Sequence, residues 1–411
     1  MKFRFSDLAL MGAAPAFTEE LHVGRPNVPV GAARDKLLNE IASILDRRWL
    51  SNGGPKVREF ESKIARLTGA RHAIAVCNAT QGLQVAARAC NLTGEVIVPA
   101  FTFIATAHAL SWIGLEPVFA DADPLTHSID PEQIERLITP RTSGIVATHL
   151  WGEPCRVEAI EALAARYGLQ VIYDAAHAFG SSRRGRMAGT FGAAEVFSFH
   201  ATKFINAFEG GAITTSDDEL AARLRRMISF GFADYDYVAD LGTNAKMSEA
   251  SAAMGLAGLA MMDEIIRANH ANYIAYQAAL RDLPGVRLFE FDEREARNYQ
   301  YIVLEVNNAG LSRDQLLAVL WSEGIRARRY FYPGCHRMEP YASAARREAE
   351  SLPVTECLAA SVLALPTGTA VSPAQVAEIC AIIRLALSHA DEVASRLASS
   401  ASQSAELRVA A

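Results

Sequence analysis

Seven short, mostly β-branched runs recur along the first half of the chain: Ala73–Val76, Glu95–Val98, Pro117–Ala120, Gly144–Thr148, Gln170–Tyr173, Val196–Phe199 and Gly211–Thr214. Helical stretches separate many of them, and this alternation predicts a mostly parallel sheet, since parallel neighbours require long crossover connections. Several runs are apolar at both odd and even positions, as expected where helices cover both faces of the sheet. Folds of this kind hold their ligands beyond the strand ends. Two residues able to do chemistry stand there: Asp174 closes Val171-Ile-Tyr-Asp, and Lys203 follows Val196-Phe-Ser-Phe-His-Ala-Thr.

At 411 residues the chain exceeds one ordinary core and fits a large and a small domain. We expect residues 1–260 to form an N-terminal segment and the large domain, 261–395 a small C-terminal α+β domain, and 396–411 an Ala/Ser-rich tail that frays or extends a terminal helix. Helix starts are expected at Asp130-Pro131, Ser216-Asp-Asp-Glu219 and Ser372-Pro373. A long helical pattern runs from Met247 to Leu283, followed by strands at Val286–Leu288, Tyr299–Val306 and Ile325–Tyr330 around a helix at Ser312–Glu323.

Composition narrows the partners. Forty basic against 46 acidic residues give a formal charge of -6, which supplies no broad basic surface for nucleic acid or anionic lipid. The six cysteines are scattered without a Cys-x-x-Cys pair, and no His cluster has zinc-ligand spacing, so reduced thiols and no metal are expected. The opening Met1-Lys-Phe-Arg-Phe-Ser-Asp-Leu has no apolar signal region, and no apolar run is long enough to span a bilayer. The expectation is a cytoplasmic protein that handles small molecules.

A lysine and an aspartate at strand ends, with hydroxyls nearby, suit pyridoxal phosphate: an amine for a Schiff base, a carboxylate for the pyridinium nitrogen, and donors for the phosphate. Each residue also has a plainer reading. Lys203 can be a surface lysine in a turn, Asp174 a helix N-cap before Ala175-Ala176, His177 a satisfied core histidine, Ser198 a polar residue on a half-buried strand, and Phe103 an ordinary core phenylalanine.

Taken together, the motifs resemble the DegT/DnrJ/EryC1/StrS family of sugar aminotransferases, which have the aspartate-aminotransferase-like fold type I. The resemblance runs through Leu50-Ser-Asn-Gly-Gly54, Cys77-Asn-Ala-Thr80, Pro99-Ala-Phe-Thr-Phe-Ile-Ala-Thr106, Tyr173-Asp-Ala-Ala-His177, Ser198-Phe-His-Ala-Thr-Lys203, Glu209-Gly-Gly211, Gly242-Thr-Asn-Ala-Lys-Met-Ser-Glu249 and Leu365-Pro366. It implies an α/β large domain with a seven-stranded, mostly parallel sheet and a smaller α+β domain.

By this resemblance Lys203 carries the cofactor and moves the proton, Asp174 pairs with the ring nitrogen, and His177 lies near the phenolic oxygen. The Ala79 and Thr80 amides, the Thr80 hydroxyl and the Ser198 hydroxyl meet the phosphate, and Phe103 stacks on the ring. Asn244 reaches the phosphate of the neighbouring subunit, which implies a homodimer with shared active sites. Asn78-Ala79-Thr80 keeps the family's threonine but not the glycine of its usual Ser-Gly-Thr. Glu209-Gly-Gly211 is expected to matter for glycines at positive φ, and Arg183-Arg184-Gly-Arg186 to be a solvated hairpin. One of Arg326, Arg328, Arg329, Tyr330 or His336 is expected to face the substrate.

The implied reaction is ping-pong transamination: L-glutamate converts the cofactor to pyridoxamine phosphate, and a ketone on a nucleotide-linked 6-deoxyhexose takes up the amine. Gly12-Ala-Ala-Pro-Ala-Phe17, Leu21-His-Val-Gly-Arg-Pro-Asn27 and Asp174-Ala-Ala-His-Ala-Phe179 look most like aminotransferases acting at C4 of dTDP-4-keto-6-deoxyglucose in antibiotic deoxysugar pathways. A 3-ketosugar or cyclitol ketone is the close alternative. A non-catalytic sensor that binds pyridoxal phosphate is the rival from another class. Lys203 argues against the dehydratase branch of the family, which has histidine there.

Overall fold

A computed structural model describes residues 2–307, 309–344 and 352–409. Its central sheet has seven strands: β1 (His72–Val76), β2 (Glu95–Pro99), β3 (Glu116–Ala120), β4 (Thr142–Thr148), β5 (Gln170–Asp174), β6 (Ala194–Ser198) and β7 (Gly211–Thr215). Their order is β1-β7-β6-β5-β4-β2-β3, and only β7 runs antiparallel to its neighbours. Every strand expected for this sheet is present, with ends shifted by at most two residues, whereas the expected strand Tyr299–Val306 of the second sheet begins only at Ile302.

Both faces of this sheet are buried, which is why the runs are apolar on both parities. Ala73, Ala75, Ile97, Ile145, Ala147, Val171, Tyr173 and Phe197 face one apolar cluster, whereas Ile74, Val76, Val96, Val98, Val146, Ile172 and Val196 face another. A second, antiparallel sheet of β8 (Val286–Leu288), β9 (Ile302–Val306) and β10 (Val362–Leu365) belongs to a third cluster. Leu8, Phe17 and Leu21 of the N-terminal segment join that third cluster, and Leu21–His22 pairs in parallel with Ile325–Arg326.

Several local expectations need correction. The N-cap of helix Asp218–Met227 is Asp217, not Ser216, and its carboxylate takes the Glu219 and Leu220 amides at 2.8 and 2.9 Å. The pattern from Met247 to Leu283 is two helices, Glu249–Ala260 and Met262–Leu280. The chain turns at Met261 because the first packs on helix Pro55–Thr68 and the second on helix Pro373–Ser388. Ile325–Tyr330 is a strand only at Ile325–Arg326, after which Arg328 makes a single bridge to Ala364. Asp130 and Ser372 cap their helices as expected.

The C-terminal helix spans Ala390–Val409, and residues 410 and 411 of the expected tail lie outside the described residues. No described helix is long and apolar enough to cross a membrane.

Candidate active site

Thr148, Asp174 and Ser198 end three adjacent parallel strands, with Thr148 in register with Asp174 and Asp174 with Val196. Strand β7 enters from the same edge: Gly211 is paired with both Ser198 and Val76. A cavity of about 350 Å³ opens there, lined by Ala79, Thr80, Phe103, Asp174, His177, Ser198 and Lys203 among others. Seven of the eight expected cofactor residues therefore meet in one place. The eighth, Asn244, is exposed and lies outside the cavity of its own chain, in a bridge to Ser229.

The lysine turn is held from behind. Lys203 N donates to His200 O at 2.9 Å, and Phe199 and Gly210 close the loop through Phe199 N to Gly210 O at 2.8 Å. Asn27 donates to Phe204 O at 3.0 Å while Asn206 donates to Asn27 O at 2.7 Å, an exchange that ties the N-terminal segment to this turn. The Lys203 amine donates to the Tyr301 hydroxyl at 3.3 Å and has no carboxylate at ion-pair distance among the described residues. Burial lowers it to about 8, with Tyr330 and Asp174 opposing the shift.

Asp174 is buried and accepts from the Thr106 hydroxyl at 2.7 Å and the Ala176 amide at 3.1 Å. Thr102 links Thr106 and Thr148 behind it at 3.3 and 3.2 Å. Burial pushes the carboxyl up, and the Thr106 hydrogen bond, the Ala176 amide and the Lys203 charge oppose it. No helix follows: residues 176–180 form turns, so Asp174 is not an N-cap.

His177 is buried, and burial followed by the Lys203 charge holds its imidazole well below the usual range, so it is neutral. Its Nε2 lies 3.1 Å from the Tyr301 hydroxyl, but its Nδ1 is buried without a partner, which the core-histidine reading does not explain. Phe103 is 58% exposed, so it is no core residue.

Helix Ala79–Ala89 begins at the cavity, capped by Asn78, whose side chain accepts the Gln81 amide at 2.9 Å. The Ala79 and Thr80 amides remain at the helix N-terminus, where backbone donors and the helix dipole favour an anion. Gly211 packs against this turn: a Cβ there would lie 2.9 Å from Ala79 N and from Asn78 C. Close approach, not positive φ, is therefore the reason for Gly211; neither Gly210 nor Gly211 has positive φ, and the left-handed residue of the loop is Phe208.

These observations fit pyridoxal phosphate. A part-buried amine depressed towards neutrality, a buried carboxylate, an unpartnered imidazole nitrogen and a helix N-terminus converge on one cavity. The arrangement can bind an aldehyde, hold a cationic ring nitrogen, fix a phosphate and move a proton at the amine.

Some cavity residues had no assigned role in the sequence. Tyr301 enters from the start of β9, and Thr102 and Thr148, joined by Thr106 behind the cavity wall, form the hydroxyl layer behind Asp174. Of the basic cluster, Arg328 and Tyr330 line the cavity, whereas Arg326 pairs with Glu20, Arg329 with Asp314 at 3.3 Å and His336 with Glu356 at 3.4 Å. Arg328 has no carboxylate partner among the described residues. Arg183-Arg184-Gly-Arg186 is the expected hairpin, turning through positive φ at Arg184 and Gly185.

Residues 32–384 match the profile of the DegT/DnrJ/EryC1/StrS aminotransferase family. The dTDP-4-amino-4,6-dideoxy-D-glucose transaminase of Escherichia coli is 36% identical over 364 residues, 88% of this chain and 97% of that protein. GDP-perosamine synthase of Caulobacter vibrioides is 34% identical over 366 residues, covering 87% and 98%. The crystal structure of DesI in the presence of its TDP-sugar product superposes with a TM-score of 0.90 at 50% identity, covering 95% of this chain and 99% of that one. The chain belongs to the DegT/DnrJ/EryC1/StrS aminotransferase family and is a pyridoxal phosphate-dependent sugar aminotransferase of fold type I.

Proposed function

We propose that this enzyme transfers an amino group from L-glutamate to C4 of a nucleotide-linked 4-keto-6-deoxyhexose, with dTDP-4-keto-6-deoxyglucose as acceptor, in the cytoplasm and in an antibiotic deoxysugar pathway. The observation that carries the acceptor is the half-identity over nearly full length with DesI, crystallised in the presence of its TDP-sugar product, in a chain whose cavity combines Lys203, Asp174 and Arg328, which has no carboxylate partner among the described residues.

Pyridoxal phosphate, when bound, supplies an aldehyde to take the amine and a ring to accept carbanion charge. Lys203 serves as tether and then as general base and acid, since an amine near pH 8 gives and takes protons at little cost. Asp174 keeps the ring nitrogen protonated, and the hydroxyl layer of Thr106, Thr102 and Thr148 holds its orientation. Thr80, Ser198 and the Ala79 and Thr80 amides would hold the phosphate, and Phe103 would supply an aromatic face for the ring. Arg328 is the guanidinium available to a donor carboxylate or a nucleotide diphosphate.

Mass spectrometry of products from dTDP- and GDP-linked 4-ketosugars, 3-ketosugars and cyclitol ketones tests the reading. Glutamate-dependent amination of the dTDP 4-ketosugar should exceed the others by at least about 10²-fold in kcat/KM. Preference for a C3 ketone or cyclitol would overturn the acceptor, leaving the aminotransferase intact.

We also propose a homodimer whose sites are shared through Asn244. The hairpin beside it, Phe232–Asp234 with Tyr237–Val238, and its flanks expose Phe230, Phe232, Tyr237, Val238 and Leu241, an apolar surface suited to a second copy. Lys203→Ala and Asn244→Ala chains should each be nearly inactive, yet recover about a quarter of wild-type turnover after equal mixing and subunit exchange, because each hybrid dimer holds one intact site. No recovery despite proven exchange would show that the site belongs to one chain.

A further inference from the structure

We propose that Tyr301 is a further catalytic residue: its hydroxyl accepts a hydrogen bond from the Lys203 ammonium and donates its own proton to His177, which fixes the His177 proton on Nδ1. The hydroxyl lies 3.3 Å from Lys203 Nζ and 3.1 Å from His177 Nε2; all three side chains line the cavity, Tyr301 and His177 buried and Lys203 partly so. The phenol has one proton to give. An ammonium has no lone pair to receive it, so when Lys203 is charged the phenol oxygen accepts from Lys203 and the proton turns to Nε2.

The imidazole is neutral here, so with Nε2 accepting, its single proton is on Nδ1. That is the nitrogen for which the protein supplies no partner. One hydroxyl thus leaves the His177 Nδ1–H free as a donor, which a bound cofactor's anionic oxygen would accept, whenever Lys203 holds a proton. The Tyr301 ring is fixed for this purpose, 5.6 Å from Trp151 edge-on and 4.4 Å from His177. Burial pushes the Tyr301 phenol well above its ordinary range, so it stays a donor throughout.

The inference rests on the aminotransferase assignment and not on which sugar is the acceptor. Its test is the full-length enzyme in the pyridoxamine phosphate form, where Lys203 is free. Competitive labelling with trace acetic anhydride across pH, followed by peptide mass spectrometry, reports the Lys203 midpoint without any ketosugar. The charged and titratable groups that line the cavity with Lys203 and Tyr301 are Asp174, His177, His200, Glu209, Arg328 and Tyr330, and Tyr301→Phe leaves all six in place. Loss of an acceptor for the ammonium should lower the midpoint by about half to one pH unit.

An unchanged midpoint in a folded Tyr301→Phe enzyme would overturn the proposal, even if turnover fell. Should that variant fail to fold, 4-fluorophenylalanine at position 301 fills the space of the hydroxyl but accepts only weakly and has no proton to lose. It must lower the midpoint too, and an unmoved value there overturns the proposal equally.

Discussion

Lys203→Ala is expected to lower kcat by at least about 10⁴-fold, because one change removes both the covalent tether and the proton-transfer group. Borohydride reduction followed by peptide mapping should label residue 203 in the wild type and nothing in the variant. The fold should survive: the amine makes one side-chain hydrogen bond, at 3.3 Å to Tyr301, and its burial without an adjacent carboxylate stabilises nothing. Lys203→Arg is the sharper control. Arginine keeps the positive charge beside Asp174 but cannot lose its proton near neutral pH. If Lys203 acted only as a charge, the arginine enzyme would keep substantial activity; because it must be a neutral amine to react, both variants should be equally inactive. Ping-pong turnover above about one per cent of wild type in either would sink the assignment.

Protonation gives the same residue a pH signature. Burial brings the amine to about 8, so in the cofactor-free protein, condensation with added pyridoxal phosphate should accelerate as pH rises through that value. An ordinary exposed lysine would still be almost wholly protonated there.

The large sheet was legible because both of its faces are covered, which leaves apolar runs with no polar parity to confuse the assignment. The break at Met261 was not legible. The helical periodicity continues through it, and only the two different packing partners, Pro55–Thr68 and Pro373–Ser388, turn the chain. Cap choice failed for a local reason: Ser216 and Asp217 are both good N-caps, and the structure uses the second, whose carboxylate reaches two amides.

Within the site, Lys203, Asp174 and the Asn78-Ala79-Thr80 turn stood out because they interrupt strand and helix patterns at sheet ends. Tyr301 did not, since nothing nearby in the chain distinguishes it from the buried aromatics around it. It reaches Lys203 across 98 positions only because β9 packs the second sheet against the cavity. The cluster around Arg328 was visible as a group, yet the choice among its members depends on Glu20, Asp314 and Glu356, which engage Arg326, Arg329 and His336 from 306, 15 and 20 positions away.

Asp174→Asn separates charge from shape. The amide oxygen can still accept the Ala176 amide at 3.1 Å, and the amide nitrogen can donate to Thr106 at 2.7 Å if the Thr106 proton turns to Thr102, 3.3 Å away. Every hydrogen bond is therefore conserved, and the melting temperature should remain within a few degrees of wild type. What disappears is the negative charge that keeps the ring nitrogen protonated. Without it the ring accepts carbanion charge poorly, and kcat for both half-reactions should fall by about 10²–10³-fold. Thr106→Val tests the same carboxylate from the other side. Loss of the hydroxyl leaves the charge in place but removes a bond that lowers the proton affinity of Asp174, so burial raises it further and the acid limb of the pH–rate profile should move to higher pH. An Asp174→Asn enzyme with near-normal turnover would mean that the ring works unprotonated, and the buried carboxylate would then be a packing feature of the strand end.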